Sequence, residues 1–174
     1  MTVSPGAAAG RAKAARASAQ AAPRAVARDT PPADRSVELF RASPLERARI
    51  VKKGVPASYV VALTDRMAMP KEKFYRTVGL ARATVDRKVR GLKLLNPDES
   101  ERVVGFMRLV GQTETLVRES GSSVGFDAAK WLAGWLDRPL PALGGRAPAE
   151  FMDTADGRAM VADLMAQQQS GAYG

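Results

Sequence analysis

The chain has no cysteine and no histidine. Without cysteine there is no disulfide and no thiol nucleophile. Without histidine the usual general base is missing, and every Ser-His or Cys-His arrangement goes with it. Zinc sites built on His and Cys are excluded too, leaving only carboxylate oxygens as metal ligands. Long apolar runs are also lacking. No segment approaches the roughly 18 residues a membrane span needs. The Ala-rich start is interrupted by Arg11, Lys13 and Arg16, so no secretory core forms. An enzyme using carboxylates, Lys or Tyr stays open but is disfavoured, and the expectation is a cytoplasmic, non-catalytic chain that needs no cofactor.

What is present is charge, unevenly placed. The net charge is +9 over 174 residues, which suits one domain or two small ones and suggests a polyanionic partner. Residues 37–95 hold 14 Lys/Arg against 5 Asp/Glu, whereas residues 96–174 hold 7 against 11. That asymmetry suggests two parts with two kinds of partner. Residues 1–36 are Ala, Arg, Pro and Gly with almost no large apolar side chains. They are expected to form a disordered basic arm, since they bury too little to offset ordering entropy.

The remainder reads as helical throughout. Ser43 and Pro44 form a cap and first-turn pair, opening a helix that Gly54 ends. Pro56 and Ala57 open the next, with Tyr59, Val60, Leu63 and Met67 on one face. Pro70 separates it from another helix, ended by Gly79. A fourth is expected over 82–92. Asn96, Pro97, Asp98 and Glu99 are a strong start signal, with acids at the positive end of the helix dipole. Val103, Phe106, Met107 and Val110 then share a face to about residue 117. A break over 121–125, a helix over 127–136, a Pro/Gly loop over 137–147, a turn over 148–152 and a helix over 155–169 complete the chain. No strand is expected.

The segment from Pro70 to Val85 has the pattern of a helix-turn-helix. Phe74, Val78 and Leu80 pack inward, and Gly79 supplies the left-handed residue between the helices. Val85, Val89 and Leu92 form the buried stripe of the second helix. Arg87 and Arg90 fall on the opposite face, with Thr84 and Lys88 beside them and Arg82 at the start. Arg82, Thr84, Arg87, Lys88 and Arg90 are therefore the candidate DNA contacts. A merely solvated basic face would show the same pattern.

The last forty residues carry an ordered set: Trp135, Leu136, Pro141, Leu143, Gly144, Gly145, Pro148, Phe151, Thr154, Gly157, Val161, Leu164, Gly171 and Tyr173. Ala128, Trp131, Leu132 and Trp135 form an apolar stripe of the expected core. In the final helix Met160, Val161, Leu164 and Met165 should be buried, and Arg158, Asp163 and Gln167 exposed.

This set resembles the toxin-binding domain of the Xre/MbcA/ParS antitoxins, which neutralise RES-domain toxins in bacteria. The block from Pro56 to Glu101 resembles the Xre-type helical head of the same antitoxins. Together the resemblance covers residues 56–174. It departs at Tyr75, where a small residue is usual, at Ala81, where Ser or Asp normally caps, at Leu140, where many relatives have Asn, and at the glutamines 167–169. The chain is expected to be all-α: after the disordered basic arm (1–36) read from composition, the resemblance implies a helix-turn-helix DNA-binding domain (37–120) and a toxin-binding domain (121–174). It implies an antitoxin that covers the active-site entrance of an NAD-consuming RES toxin and represses its own operon, with that toxin, operator DNA and further copies of itself as partners. Gly144, Gly145, Arg146, Pro148, Gly171 and Tyr173 match the family pattern as toxin contacts. A stand-alone regulator using the C-terminal module to oligomerise is the alternative. An enzyme built on Asp153, Asp156 and Asp163 is disfavoured, because acids at a helix start simply favour its dipole.

Overall fold

The helix starts marked in the sequence are capped as their side chains dictate. In a computed structural model, which describes residues 32–121 and 125–169, Ser43 Oγ accepts from Glu46 N at 3.2 Å. Glu46 returns the bond by accepting from Ser43 N at 2.8 Å. Asn96 and Glu99 make the same reciprocal pair at 2.8 and 2.9 Å, and Asp127 accepts from Lys130 N at 3.1 Å. Each pair satisfies orphan donors of a first turn.

The described residues form eight α-helices: α1 (Pro32–Arg41), α2 (Pro44–Lys53), α3 (Ser58–Arg66), α4 (Lys71–Val78), α5 (Arg82–Arg90), α6 (Pro97–Glu119), α7 (Ala128–Leu136) and α8 (Ala155–Gln169). Two 3₁₀ turns, Pro141–Leu143 and Pro148–Phe151, lie between α7 and α8. The fold is all-α, a helix-turn-helix head followed by a helical C-terminal module. Among the described residues no helix is long and apolar enough to cross a membrane.

The 23-residue α6 is the post around which the rest is built. Val103, Val104, Phe106, Met107, Leu109 and Val110 are all buried. A helix buried on most of its circumference must have neighbours on several sides. Phe74 of α4 meets Phe106 edge-on, ring centres 5.0 Å apart. One hydrophobic core runs from Leu39 to Met165 through both halves of the chain. The loop after α2 is tied to the loop before α6. Ala57 N donates to Lys93 O at 3.0 Å and Leu95 N to Val55 O at 2.8 Å.

Three expectations are corrected. The helix α1 begins at Pro32, inside the segment read as a disordered arm, and Ser36 is fully buried. Gly111 of α6 makes that possible, because a Cβ there would run into the Ser36 main chain. The rest of the expected arm, residues 1–31, lies outside the described residues. Leu92 was expected in the buried stripe of α5 but is 90% exposed. The helix stops at Arg90, Leu92 takes a φ of 49° in the exit turn, and Leu95 fills the interior instead. Arg158 was expected on the surface of α8 but is 5% exposed. It donates to Met152 O at 3.0 Å and pairs with Glu101 across α6. In α8 Val161 and Met165 are buried, while Met160 and Leu164 are half-buried.

Candidate functional site

The helix-turn-helix is assembled by α4, a turn at Gly79 and α5. Phe74, Val78, Leu80 and Val85 are buried between its helices, as the pattern predicts. Gly79 takes the left-handed conformation (φ 70°). Ala81 provides no side-chain cap to α5. Tyr75, where a smaller residue would let the helices cross closely, is itself buried. Its hydroxyl donates to Asp86 at 2.6 Å, pinning α5 onto α4. Burial first, and the Asp86 carboxylate second, push the Tyr75 hydroxyl well above the usual phenol range. The same bond, helped by Arg82, holds the Asp86 carboxyl below its ordinary value.

The five candidate DNA contacts do not share one environment. Arg87 and Arg90 are exposed on α5 and make no ion pair among the described residues. Arg82 is exposed but bridges Glu72 at 3.1 Å and Asp86 at 3.5 Å. Thr84 is half-buried. Lys88 is turned inward and pairs with Glu99, the carboxylate that also caps α6. Sequence reasoning missed three further cations. Lys52 and Lys53 at the end of α2 and Lys93 after α5 are exposed. The backbone bond from Ala57 to Lys93 brings these two segments together. Thirty-five residues between Ala57 and Lys93 conceal that contact in the linear sequence, and only the run of Lys near Gly54 hints at it.

On the C-terminal module, the chain between α7 and α8 folds into a projecting loop. Leu140 N donates to Arg146 O and Gly145 N to Leu140 O, both at 3.0 Å. Gly144 and Gly145 have φ of 63° and 81°. Nothing lies within 4 Å of a Cβ built on either. Backbone conformation rather than crowding therefore selects glycine there. Arg146 stands exposed at the loop's base. It donates to Glu150 at 2.9 Å and lies over the Phe151 ring, 4.5 Å from its centre. The Ala147 backbone N–H, then Arg146, hold the Glu150 carboxyl below its usual range. Pro148 is buried, so it sets the loop's position more than it offers surface. Gly171 and Tyr173 lie outside the described residues. Trp135 is buried and stacks on half-buried Trp131, ring centres 6.1 Å apart. Asp153, Asp156 and Asp163 are separately exposed.

A basic helix-turn-helix and a helical module presenting a glycine-hinged loop, built on one post, define a two-headed binding protein. Residues 46–108 match the antitoxin Xre-like helix-turn-helix domain, and residues 124–171 match the antitoxin Xre/MbcA/ParS C-terminal toxin-binding domain. The chain is 44% identical over 135 residues to the Prs ADP-ribosylating antitoxin of Sphingobium sp. (strain YBL2), covering 78% of this chain and 85% of that protein. It is 24% identical over 148 residues to the antitoxin Xre of Yersinia enterocolitica, covering 82% of this chain and 95% of that one. The antitoxin Xre of Photorhabdus laumondii is likewise 24% identical, over 122 residues, covering 70% of this chain and 77% of that protein. The chain belongs to the Xre/MbcA/ParS antitoxins: it is the antitoxin of a toxin–antitoxin system, with a helix-turn-helix domain and a toxin-binding domain.

Proposed function

We propose that this antitoxin neutralises a RES-domain toxin that consumes NAD, by covering the toxin's active-site entrance, and represses its own operon through the helix-turn-helix. The toxin contacts are Gly144, Gly145 and Arg146 on the projecting loop, supported by Pro148, together with Gly171 and Tyr173 in the segment that follows α8. The observation that carries this reading is the loop itself. Two left-handed glycines expose its backbone, and Arg146 is held in place by Glu150 and Phe151. A positioned guanidinium is suited to a pocket that handles nucleotide phosphates. The Sphingobium relative's name speaks of ADP-ribosylation, a chemistry that draws ADP-ribose from NAD, which supports the choice of toxin class. The antitoxin works in the cytoplasm, as a homo-oligomer, and has no catalytic role of its own. The division by partner falls near residue 121: DNA before it, toxin after it.

The test is co-expression of the toxin with the full chain, with Arg146→Ala, and with a chain lacking residues 170–174. Circular dichroism of each variant accompanies the growth assay. An aromatic anchor buried at an interface commonly contributes about 2 kcal/mol, or roughly thirtyfold in affinity. Growth arrest with the folded truncated chain supports the plug. Full rescue by that chain rejects residues 170–174 as the plug and leaves the Arg146 loop to carry the role.

A further inference from the structure

Two exposed leucines crown the turn that leaves α5. Leu92 is 90% exposed and Leu94 49% exposed. Leu92 also holds a left-handed φ of 49°, which a branched side chain rarely adopts and glycine takes without strain. Single exposed leucines are common on protein surfaces. A strained one is not, and strain of this kind collects at functional sites. The turn is pinned on both sides of the strained residue. Leu92 N donates to Val89 O at 3.1 Å, Lys93 N to Lys88 O at 2.9 Å and Ala57 N to Lys93 O at 3.0 Å. Pro56 and Leu94 form an antiparallel bridge. Leu94 abuts Gly54, where a Cβ would come within 3.3 Å of the Leu94 Cβ. These ties hold the leucines out in water.

The charges around the turn select its partner. Lys52 and Lys53 at the end of α2, Arg90 at the end of α5 and Lys93 in the turn are all exposed. None of them makes an ion pair among the described residues. The acids that follow in sequence are engaged elsewhere, Asp98 with Arg102 and Glu99 with Lys88. Such a face repels its counterpart on a second copy and attracts a polyanion. Arg90 belongs both to this patch and to the exposed face of α5, so the two are continuous. Among phosphates alone a leucine has nothing to bury against. The apolar surface that a duplex offers lies in its minor groove, where sugars and base steps accept leucine wedges. The major groove offers only thymine methyls, and on the helix-turn-helix reading α5 fills it.

We propose that the exit turn of α5 is a second DNA-contact element. It seats Leu92 in the minor groove beside the major groove entered by α5, with Lys52, Lys53 and Lys93 on the flanking phosphates. The proposal rests on the helix-turn-helix reading of α4 and α5 and adds a contact that α5 itself does not make.

The test uses the full chain, a labelled duplex spanning the region upstream of its own gene, and a shuffled duplex beside it. Leu92→Gly removes the wedge and relieves the backbone, so its urea midpoint should be unchanged or higher. Its affinity for the upstream duplex should fall about tenfold, the factor expected when much of a leucine side chain loses its cover. The salt slope should stay the same, because no charge is removed. Lys53→Ala with Lys93→Ala should instead lower that slope by about 2. Hydroxyl-radical footprinting, which reports on the sugars lining the minor groove, should show a flanking protection that Leu92→Gly loses. The chain has no cysteine, so a photo-cross-linker on Leu92→Cys reports from that position alone. It should join the duplex, whereas the same group on Asp163→Cys in α8 should not. Unchanged affinity and footprint in Leu92→Gly, or no cross-link from position 92, overturns the proposal. A change of oligomeric state in Leu92→Gly, seen by sedimentation without DNA, also overturns it and makes a second copy the occupant. Lost neutralisation at unchanged DNA affinity overturns it in favour of the toxin. Arg87→Ala separates the proposal from the reading beneath it. Weakened binding in Arg87→Ala but not in Leu92→Gly rejects the exit turn alone, and an unaltered chain that binds neither duplex rejects both.

Discussion

Gly105 should change the sign of its effect according to the residue at 158. It sits in the middle of α6, facing the buried Arg158 of α8. A Cβ at Gly105 would lie 2.7 Å from Arg158 Nε and 3.0 Å from its Cδ. The guanidinium has little room to retreat, because it donates to Met152 O at 3.0 Å and pairs with Glu101. Overpacking of this kind costs about 1–3 kcal/mol, and disturbing a charged hydrogen bond about 1.5–3 kcal/mol. Against that, Gly→Ala inside a helix gains about 1 kcal/mol. Gly105→Ala should therefore destabilise the native chain by about 1–3 kcal/mol, read as a lower urea midpoint with an unchanged slope. Arg158→Ala alone should cost about 2–4 kcal/mol, from the stranded Met152 carbonyl and the lost stem packing. Glu101 contributes less, since its half-exposed side chain returns to water. In the Arg158→Ala background Gly105→Ala meets nothing and should stabilise, by up to about 1 kcal/mol. The coupling should then exceed the roughly 0.5 kcal/mol expected of independent sites. The same sign in both backgrounds would refute the account of Arg158 as a buried strut fitted to a glycine notch.

Arg87→Ala and Arg90→Ala should each weaken operator binding in a gel shift by up to about 1–3 kcal/mol, whereas Lys88→Ala should chiefly lower the melting point, because it strands Glu99; equal losses of affinity at unchanged stability would reject the inward Lys88. With about five phosphates neutralised, log K should fall against log salt with a slope near −4 to −5. Deleting residues 1–31 should leave the urea midpoint nearly unchanged, whereas Leu39→Ala in α1 should cost about 2–5 kcal/mol; a silent Leu39→Ala would mean α1 contributes nothing to the core. Glu46, Asp86 and Glu150 have carboxyls held below their ordinary values by their hydrogen-bond donors. Depressed carboxyls contribute stability that is present above the unfolded value and lost as pH falls through the folded one. Stability should thus be level from neutrality to about pH 5 and decline below about pH 4, and Tyr75→Phe should shrink the part due to Asp86.

The sequence discloses features decided by neighbouring residues and hides those decided by distant ones. Ser43 with Glu46 and Asn96 with Glu99 are legible because a cap and its reciprocal partner stand three residues apart. Gly79 is legible because one residue type tolerates its conformation. By contrast, α1 depends on Ser36 meeting Gly111, far along the chain, and its few apolar residues follow a low-complexity stretch. The sequence alone puts Arg158 outside, because a lone arginine usually is exposed and its partner Glu101 and its notch Gly105 lie on another helix. Helical rotation alone puts Lys88 beside the exposed face of α5, yet Glu99 of α6 captures it and turns it inward. In the candidate site, the paired glycines 144 and 145 mark a turn in the sequence, but nothing in it shows the Phe151 ring beneath Arg146.

How the two faces relate follows from what joins them. Arg102 of α6 donates to the Val78 carbonyl at 3.3 Å and to the Asp153 carbonyl at 2.9 Å. One guanidinium thus holds both the end of α4 and the residue just ahead of α8. Gly79 lies against it, since a Cβ there would meet the Arg102 side chain and Asp153. Lys73 of α4 also pairs with Asp137 after α7. An exposed ion pair contributes only about 0–1 kcal/mol, so these polar ties set orientation while the shared core supplies the strength. Met152, Val161 and Met165 of the C-terminal module belong to the same buried cluster as Phe74, Val78 and Val85 of the head. Bending the module away from the head would expose that cluster, at about 25 cal/mol for each Å² of apolar surface. A hinge between the faces is therefore disfavoured. On the proposed function, any effect of toxin on operator affinity should therefore come from added copies, added charge or blocked surface, rather than from a new angle between α5 and the Arg146 loop.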